Sequence, residues 1–249
     1  MTTVCILSDV HARRGHADAI RETLVSIRDR LAAREPAHVF VLGDLIEDAT
    51  APADREHVRL VASAFEDCPA PVTYLLGNHD VGNLTRGTLG DLLSQEGFYG
   101  RVEVGGQPFV YLDSAVAGVG ARGALGAAQR EWLDEQLSGD EIVLLHHAVG
   151  PVSLADNSWF SEYPERALLW DRKELLDLLE GRALATINGH VHQTERTAFR
   201  GLTHVAINAV SKETPDTPVT GTYATLSLDG LPTLSVAVGD RETASFSLA

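Results

Sequence analysis

Five short polar clusters carry the chemistry of this sequence: Asp9-Val10-His11, Gly43-Asp44, Gly77-Asn78-His79-Asp80, His146-His147 and Gly189-His190-Val191-His192. They offer carboxylates, imidazoles and one amide, without a thiolate. Such a set suits Mn²⁺, Fe or Zn²⁺ over Cu(I) or an iron–sulfur cluster. Taken singly, each cluster reads as a turn or a helix cap. The pairs spaced i, i+2 say more. In an extended segment, residues two apart point the same way, so Asp9 with His11, and His190 with His192, are expected to chelate together. A cation bound by such donors can act as a Lewis acid or turn a bound water into a nucleophile.

The elements that must position these clusters alternate along the chain. Short apolar runs at 4–7, 39–42, 72–76, 109–112, 142–145 and 185–187 read as strands, and five of the six end directly on one of the clusters. Helical spacing covers 17–34, 54–66, 127–137 and 171–179, with Asp171 as the expected N-cap of the last. The chain then becomes β-rich, with strands near 194–199, 203–209, 222–228 and 231–238 and a hairpin turn at Asp229-Gly230. Strand–helix alternation predicts an α/β protein whose clusters meet at the carboxyl edge of its sheets. No repeat or linker divides the sequence, so residues 1–249 read as one domain.

In order and spacing, the clusters resemble the calcineurin-like metallophosphoesterase superfamily, whose pattern is Asp-x-His, Gly-Asp, Gly-Asn-His-Asp/Glu, His and Gly-His-x-His. The resemblance spans nearly the whole chain. It implies a four-layer αββα sandwich of two mixed sheets flanked by helices, with a dinuclear metal centre. Carried over by motif, Asp9, His11 and His192 would hold one metal and Asn78, His146 and His190 the second, with Asp44 bridging. The cofactors would be two divalent or trivalent ions, Mn, Fe or Zn, with a bridging hydroxide as nucleophile. His79 would be the general acid, and Asp80 would either orient its imidazole and raise its pKa or cap the next segment. The ligand assignment of His146 over His147 follows the family's His-His pattern, and His147 is expected to be structural. His16, His38, His57 and His204 lie outside the motifs and are expected at the surface or in the core.

The substrate is less legible. Protein phosphatases of the superfamily continue Gly-Asp with Asp-Arg-Gly. Here the run is Gly43-Asp44-Leu45-Ile46-Glu47-Asp48, which argues against a phosphoprotein. The net charge of −15, with only Lys173 and Lys212 as lysines, argues against extended nucleic acid and so against a nuclease. A complete ligand set argues against a non-catalytic protein-binding scaffold. Two small-molecule branches remain. One resembles cyclic-nucleotide and glycerophosphodiester phosphodiesterases. The other resembles ADP-ribose and CDP-alcohol diphosphatases, through Leu168-Leu169-Trp170-Asp171 and Thr214-Pro215. The expected partner is therefore a small phosphoester, with a nucleotide part or a diphosphate link as options. Residues 150–170 form a long connection that reads as a lid, in which Trp159 and Phe160 would stack on a base and Arg166 would meet a second phosphate. No apolar run approaches a membrane span, the start lacks a basic leader, and Cys5 and Cys68 make no disulfide framework. A cytoplasmic setting is expected.

Overall fold

The computed structural model describes residues 2–211 and 219–249. Two six-stranded sheets lie face to face: the first in the order β12 (Arg241–Ser247), β11 (Thr233–Val238), β10 (Thr222–Ser227), β1 (Thr3–Leu7), β2 (His38–Val41), β3 (Val72–Tyr74), the second in the order β4 (Gly100–Val104), β5 (Gln107–Tyr111), β6 (Ile142–Leu145), β7 (Ala185–Asn188), β9 (Leu202–Ala206), β8 (Glu195–Phe199). In the first, β1, β2 and β3 run parallel. In the second, β5, β6, β7 and β9 do the same. Alternate strand residues from both sheets fill the space between them. Ile6, Phe40, Leu42, Phe109, Leu144, Ile187 and Leu226 form one buried cluster there, and the Phe40 and Phe109 rings meet across the interface at 5.4 Å. Strands buried on both faces need apolar residues at every position, which is why β2 and β6 read as unbroken apolar runs.

The outer faces are covered by helices, giving the αββα layers expected. Helix α1 (Ala17–Ala32) buries Ile20, Leu24, Ile27 and Leu31, the stripe spaced for a helix. Helix α2 (Ala51–Ala64) starts three residues before the sequence expectation, because Pro52 sits in its first turn, where a missing N–H costs nothing. Helices α4 (Gly126–Gln136) and α5 (Arg172–Leu179) cover the second sheet through Leu133, Leu175, Leu176 and Leu179.

Three elements fall outside the sequence reading. Helix α3 (Arg86–Leu93) carries two glycines in eight residues, and β4 (Gly100–Val104) and β12 (Arg241–Ser247) are edge strands with largely polar outward faces. Asp171 needs a correction. It stands at the N-cap position of α5, but its carboxylate accepts instead from the N–H groups of Leu125 and Gly126 and pairs with Arg130, capping α4. The Asp229-Gly230 hairpin joins β10 (Thr222–Ser227) to β11 (Thr233–Val238) as expected, with Gly230 at φ +83°. Cys5 is buried and both cysteines are free thiols. Lys212 and Thr214-Pro215 lie outside the described residues. Among the described residues, no helix is long and apolar enough to cross a membrane.

Candidate metal centre

All five clusters meet where the carboxyl ends of the two sheets come together. The loops after β1, β2 and β3 supply Asp9, His11, Asp44, Asn78 and His79, and those after β6 and β7 supply His146, His190 and His192. Backbone bonds fix the loops to one another: Asp9 N–H to the Gly43 carbonyl at 3.0 Å, His11 N–H to the Asp44 carbonyl at 2.9 Å, and Gly189 N–H to the His146 carbonyl at 3.1 Å. The Asp9 carboxylate accepts the His190 N–H at 3.0 Å and so ties the first sheet to the second. Glycine is required at position 189, because a Cβ there would overlap Ser8 Oγ and lie 2.5 Å from Asp9 Oδ2.

The i, i+2 pairs converge for a different reason from the one expected. Both lie past the strand ends, and Asp9, His11, Asp44, His190 and His192 all adopt left-handed backbone, with φ between 46° and 68°. These five are most of the non-glycine residues described with positive φ, the others being Glu35, Ser94 and Arg200. Each such residue costs about 1–3 kcal/mol and persists only where its surroundings over-determine it. Here the cross-loop hydrogen bonds and tight packing do so, aiming the side chains inward.

Two donor groups result. Asp9, His11 and His192 converge, with His11 Nε2 and His192 Nε2 only 3.0 Å apart and His192 Nε2 at 3.2 Å from Asp9 Oδ1. Asp44 Oδ2 stands between the groups, 3.7 Å from His11 Nε2 and 3.3 Å from His146 Nε2. On the far side, His146, His147 and His190 form a second group, with Asn78 Oδ1 buried and without a hydrogen-bond partner. Backbone carbonyls decide which ring nitrogens are lone-pair donors. Leu42 O accepts from His146 Nδ1 at 2.8 Å and Arg166 O accepts from His190 Nε2 at 3.0 Å, which leaves His146 Nε2 and His190 Nδ1 without protons in the neutral rings. The unpartnered His146 Nε2 then faces the Asp44 carboxylate. A lone pair against an anion needs positive charge between them, which a proton supplies in the protein alone and a metal cation could supply in its place. Buried, oriented and otherwise unsatisfied donors of this kind fit two borderline cations.

Electrostatics in the protein alone agree. Burial raises the Asp9 and Asp44 carboxyls, but the neighbouring His192 and His146 outweigh it and hold both below the usual carboxylate range. Burial lowers His146, yet Asp44 beside it carries the ring up to about 9. Burial and the charge of His146 push His190 down to about 3. The sign for stability follows. A base whose pKa rises on folding contributes fully below its unfolded value of about 6.5, and that contribution is lost as pH rises through the folded value. The Tm of chelator-treated protein is therefore expected to fall between pH 6.5 and 9, and added Mn²⁺ to remove the decline. An equal slope with and without metal would contradict the placement of a cation against His146.

His79 stands at the open side, its ring 5.1 Å from that of His11. Its partner corrects the sequence expectation. Asp80 does not touch His79. It is wholly buried and accepts the N–H groups of Leu45, Ile46 and Gly77, locking the Asp44 loop to the Asn78 loop. Burial and the charge of Asp44 push its carboxyl up to about 7. The carboxylate on His79 Nδ1 is Asp48, at 2.6 Å, with Glu47 at 4.0 Å. Burial lowers His79, but Asp44, Glu47 and Asp48 together raise it. Glu47 and Asp48 were missed because an acidic pair after an apolar run reads as solvated surface. Their spacing from Asp44 was the available signal.

His147 sets Nδ1 on Ser114 Oγ at 2.8 Å, while its Nε2 is buried without a hydrogen-bond partner beside His146 and His190. His38, His57 and His204 are buried, and His38 and His204 bond Thr73 and Thr186. Residues 150–170 form a fixed wall beside His190. The Asn157 amide donates to the Val191 carbonyl at 2.8 Å and accepts the N–H groups of Trp159 and Phe160. Phe160 is only 6% exposed and packs on the His190 ring, so it is not free to stack on a base. Trp159 is 54% exposed, and the Arg166 guanidinium lies over Tyr163 at 4.3 Å.

A helix-flanked pair of mixed sheets with aspartates and histidines gathered at their carboxyl edge defines a metallophosphoesterase fold. The chain belongs to the calcineurin-like phosphoesterase family, whose model matches residues 2–194. Among solved structures it is similar to a dimetal phosphatase from Danio rerio, at 18% identity over 100% of this chain and 99% of that one, with a TM-score of 0.74. It is also similar to GAP50, the anchor in the inner membrane complex of Plasmodium, at 12% identity over 99% and 88% of the two chains and a TM-score of 0.62. A protein of Thermus thermophilus, TT1561, superposes at 11% identity over 96% and 99%, with a TM-score of 0.56. At these identities the likeness is one of fold. No curated protein sequence matches the chain.

Proposed function

We propose that this protein hydrolyses small phosphoesters at a two-metal centre, with Asp9, His11 and His192 holding one ion, Asn78, His146 and His190 the other, and Asp44 shared. The observation that carries this reading is the position of Asp44 Oδ2 between His11 Nε2 and His146 Nε2, each within 3.7 Å. A cation pair bound there would stabilise charge developing on phosphoryl oxygens and supply a nucleophilic water at neutral pH. The chain's own contribution is arrangement. Leu42 and Arg166 carbonyls fix the lone pairs of His146 and His190, and the Asp44 Oδ1 holds the His79 N–H at 2.9 Å. Asp48 accepts from His79 Nδ1 and favours the imidazolium, so that Nε2 can hand a proton to the departing alkoxide. His79→Ala is expected to leave metal stoichiometry unchanged. It should slow esters with poor leaving groups by about 10²–10⁴-fold while sparing nitrophenyl esters, the usual worth of a general acid. A loss of bound metal in that variant would make His79 a ligand instead.

Trp159 and Arg166, in the segment beside His190, are the residues we assign to the rest of the substrate, Trp159 to a base and Arg166 to a second phosphate, its guanidinium stacked on Tyr163. The deciding experiment is a side-by-side panel with Mn²⁺, Fe or Zn²⁺ added: a phosphomonoester, a phosphodiester, cyclic nucleotides, ADP-ribose and CDP-glycerol. Turnover of at least one, abolished by chelator, is the expected result. No turnover with any metal, in protein that binds two ions, would remove the hydrolytic reading.

A further inference from the structure

Three of the four donor histidines have a partner behind the ring and the partners differ between the groups, while His192 Nδ1 is buried without one. His146 Nδ1 and His190 Nε2 both donate to neutral backbone carbonyls, those of Leu42 and Arg166. His11 Nδ1 instead meets a carboxylate, Glu47 Oε2, at 3.1 Å. That contact lies off the ideal hydrogen-bond line. The Glu47 side chain is 47% exposed, so the contact is made at the rim of the site. A carboxylate behind an imidazole holds the proton on the far nitrogen and makes the near one a stronger donor, where a carbonyl only orients it. The group around Asp9 thus has two buried carboxylates, Asp9 and the shared Asp44, and a third charge acting through His11. The group around His146 has the shared Asp44, a neutral amide and two carbonyl-backed rings.

We infer that Glu47 is a positioning residue that makes the Asp9–His11–His192 site the tighter of the two, so that this site fills first. This rests on the two-metal reading above. Glu47 reaches His11 because the loop after β2 runs parallel to the loop after β1, with Ala12 N–H donating to the Leu45 carbonyl at 3.0 Å and Glu47 N–H to the Ala12 carbonyl at 3.1 Å. The loop after β2 places Asp44 between the groups, Glu47 behind His11 and Asp48 behind His79. The same loop therefore holds one face of both the first metal site and the proton donor, with Glu47 Oε1 at 4.0 Å from His79 Nδ1.

The test is a calorimetric titration of chelator-stripped full-length protein with Mn²⁺ alone, in the absence of substrate. The native protein is expected to bind two ions in two resolved steps. Glu47→Gln and Glu47→Ala should weaken the first step by about 10-fold, the low end for an outer-shell partner because Glu47 is half exposed, and leave the second step within about 2-fold. Circular dichroism and Tm of the stripped variants should match the native protein, which separates loss of a partner from loss of the fold. A first step unchanged in both variants, or both steps weakened equally, would overturn the inference while leaving the two-metal reading intact. Native protein that binds no Mn²⁺ would overturn both.

Discussion

Asp44→Asn is expected to cut kcat by about 10³-fold or more, roughly 4 kcal/mol of transition-state stabilisation, and to reduce bound metal from two ions to one. The substitution is nearly isosteric. An amide oxygen can still accept the His79 N–H now taken by Asp44 Oδ1 at 2.9 Å, so the loop geometry has no reason to collapse. What changes is the other oxygen, which lies within 3.7 Å of both His11 Nε2 and His146 Nε2. An NH₂ group placed there points a donor at the two nitrogens, where an anion had stood between them. The measurement is metal content by elemental analysis beside kcat on the best substrate of the panel. Full activity with two ions bound would mean that Asp44 bridges nothing, and the proposed function would lose its central observation.

The second large effect falls on stability. Asp80→Ala leaves three buried N–H groups, those of Leu45, Ile46 and Gly77, without an acceptor. At about 1–3 kcal/mol for each orphaned donor the loss is about 3–9 kcal/mol. The lower half of that range applies, because burial and Asp44 hold the native carboxyl up at about 7 and its removal relieves that penalty. For a chain of this size that lower half, about 3–6 kcal/mol, lowers Tm by roughly 6–24 °C. Asp80→Asn should fall between the two, keeping one oxygen for Leu45 and Ile46 and setting an NH₂ group against the Gly77 N–H. If Asp80 were instead the orienting carboxylate of His79, Asp80→Asn would shift the alkaline limb of the pH–rate profile, where the general acid loses its proton, and spare Tm. The structure reserves that behaviour for Asp48, whose Oδ1 is 2.6 Å from His79 Nδ1.

Asp80 also shows where reading a sequence stops. A carboxylate next to a histidine in a motif invites the inference that the two work as a pair, yet adjacent side chains at a strand end diverge. Asp80 turns inward to backbone donors 34 and 35 residues away, and Asp48 arrives from another loop. Asp171 repeats the lesson, since the cap it forms belongs to a helix beginning 45 residues earlier. Phe160 does so again. Its aromatic character was visible, but its burial against His190 depends on how Asn157 pins the wall to the Val191 carbonyl. The missed elements α3, β4 and β12 share a simpler cause. Short edge elements bury little, so they print a weak apolar period.

The sequence by itself determined the donor chemistry, the α/β alternation and the placement of the clusters at strand ends. Those depend on residue type and on local period, which a linear chain carries in full. Only the tertiary structure decided how the donors converge. The i, i+2 pairs were expected to share a face through the pleat of a strand. They share one because Asp9, His11, His190 and His192 are each held in left-handed backbone, a conformation that costs free energy locally and is maintained by hydrogen bonds from distant loops. The same is true of which histidine nitrogen offers its lone pair. Carbonyls of Leu42 and Arg166, 104 and 24 residues away from the rings they fix, make that choice. Contacts of that range are set by how two sheets pack, and no local pattern encodes them.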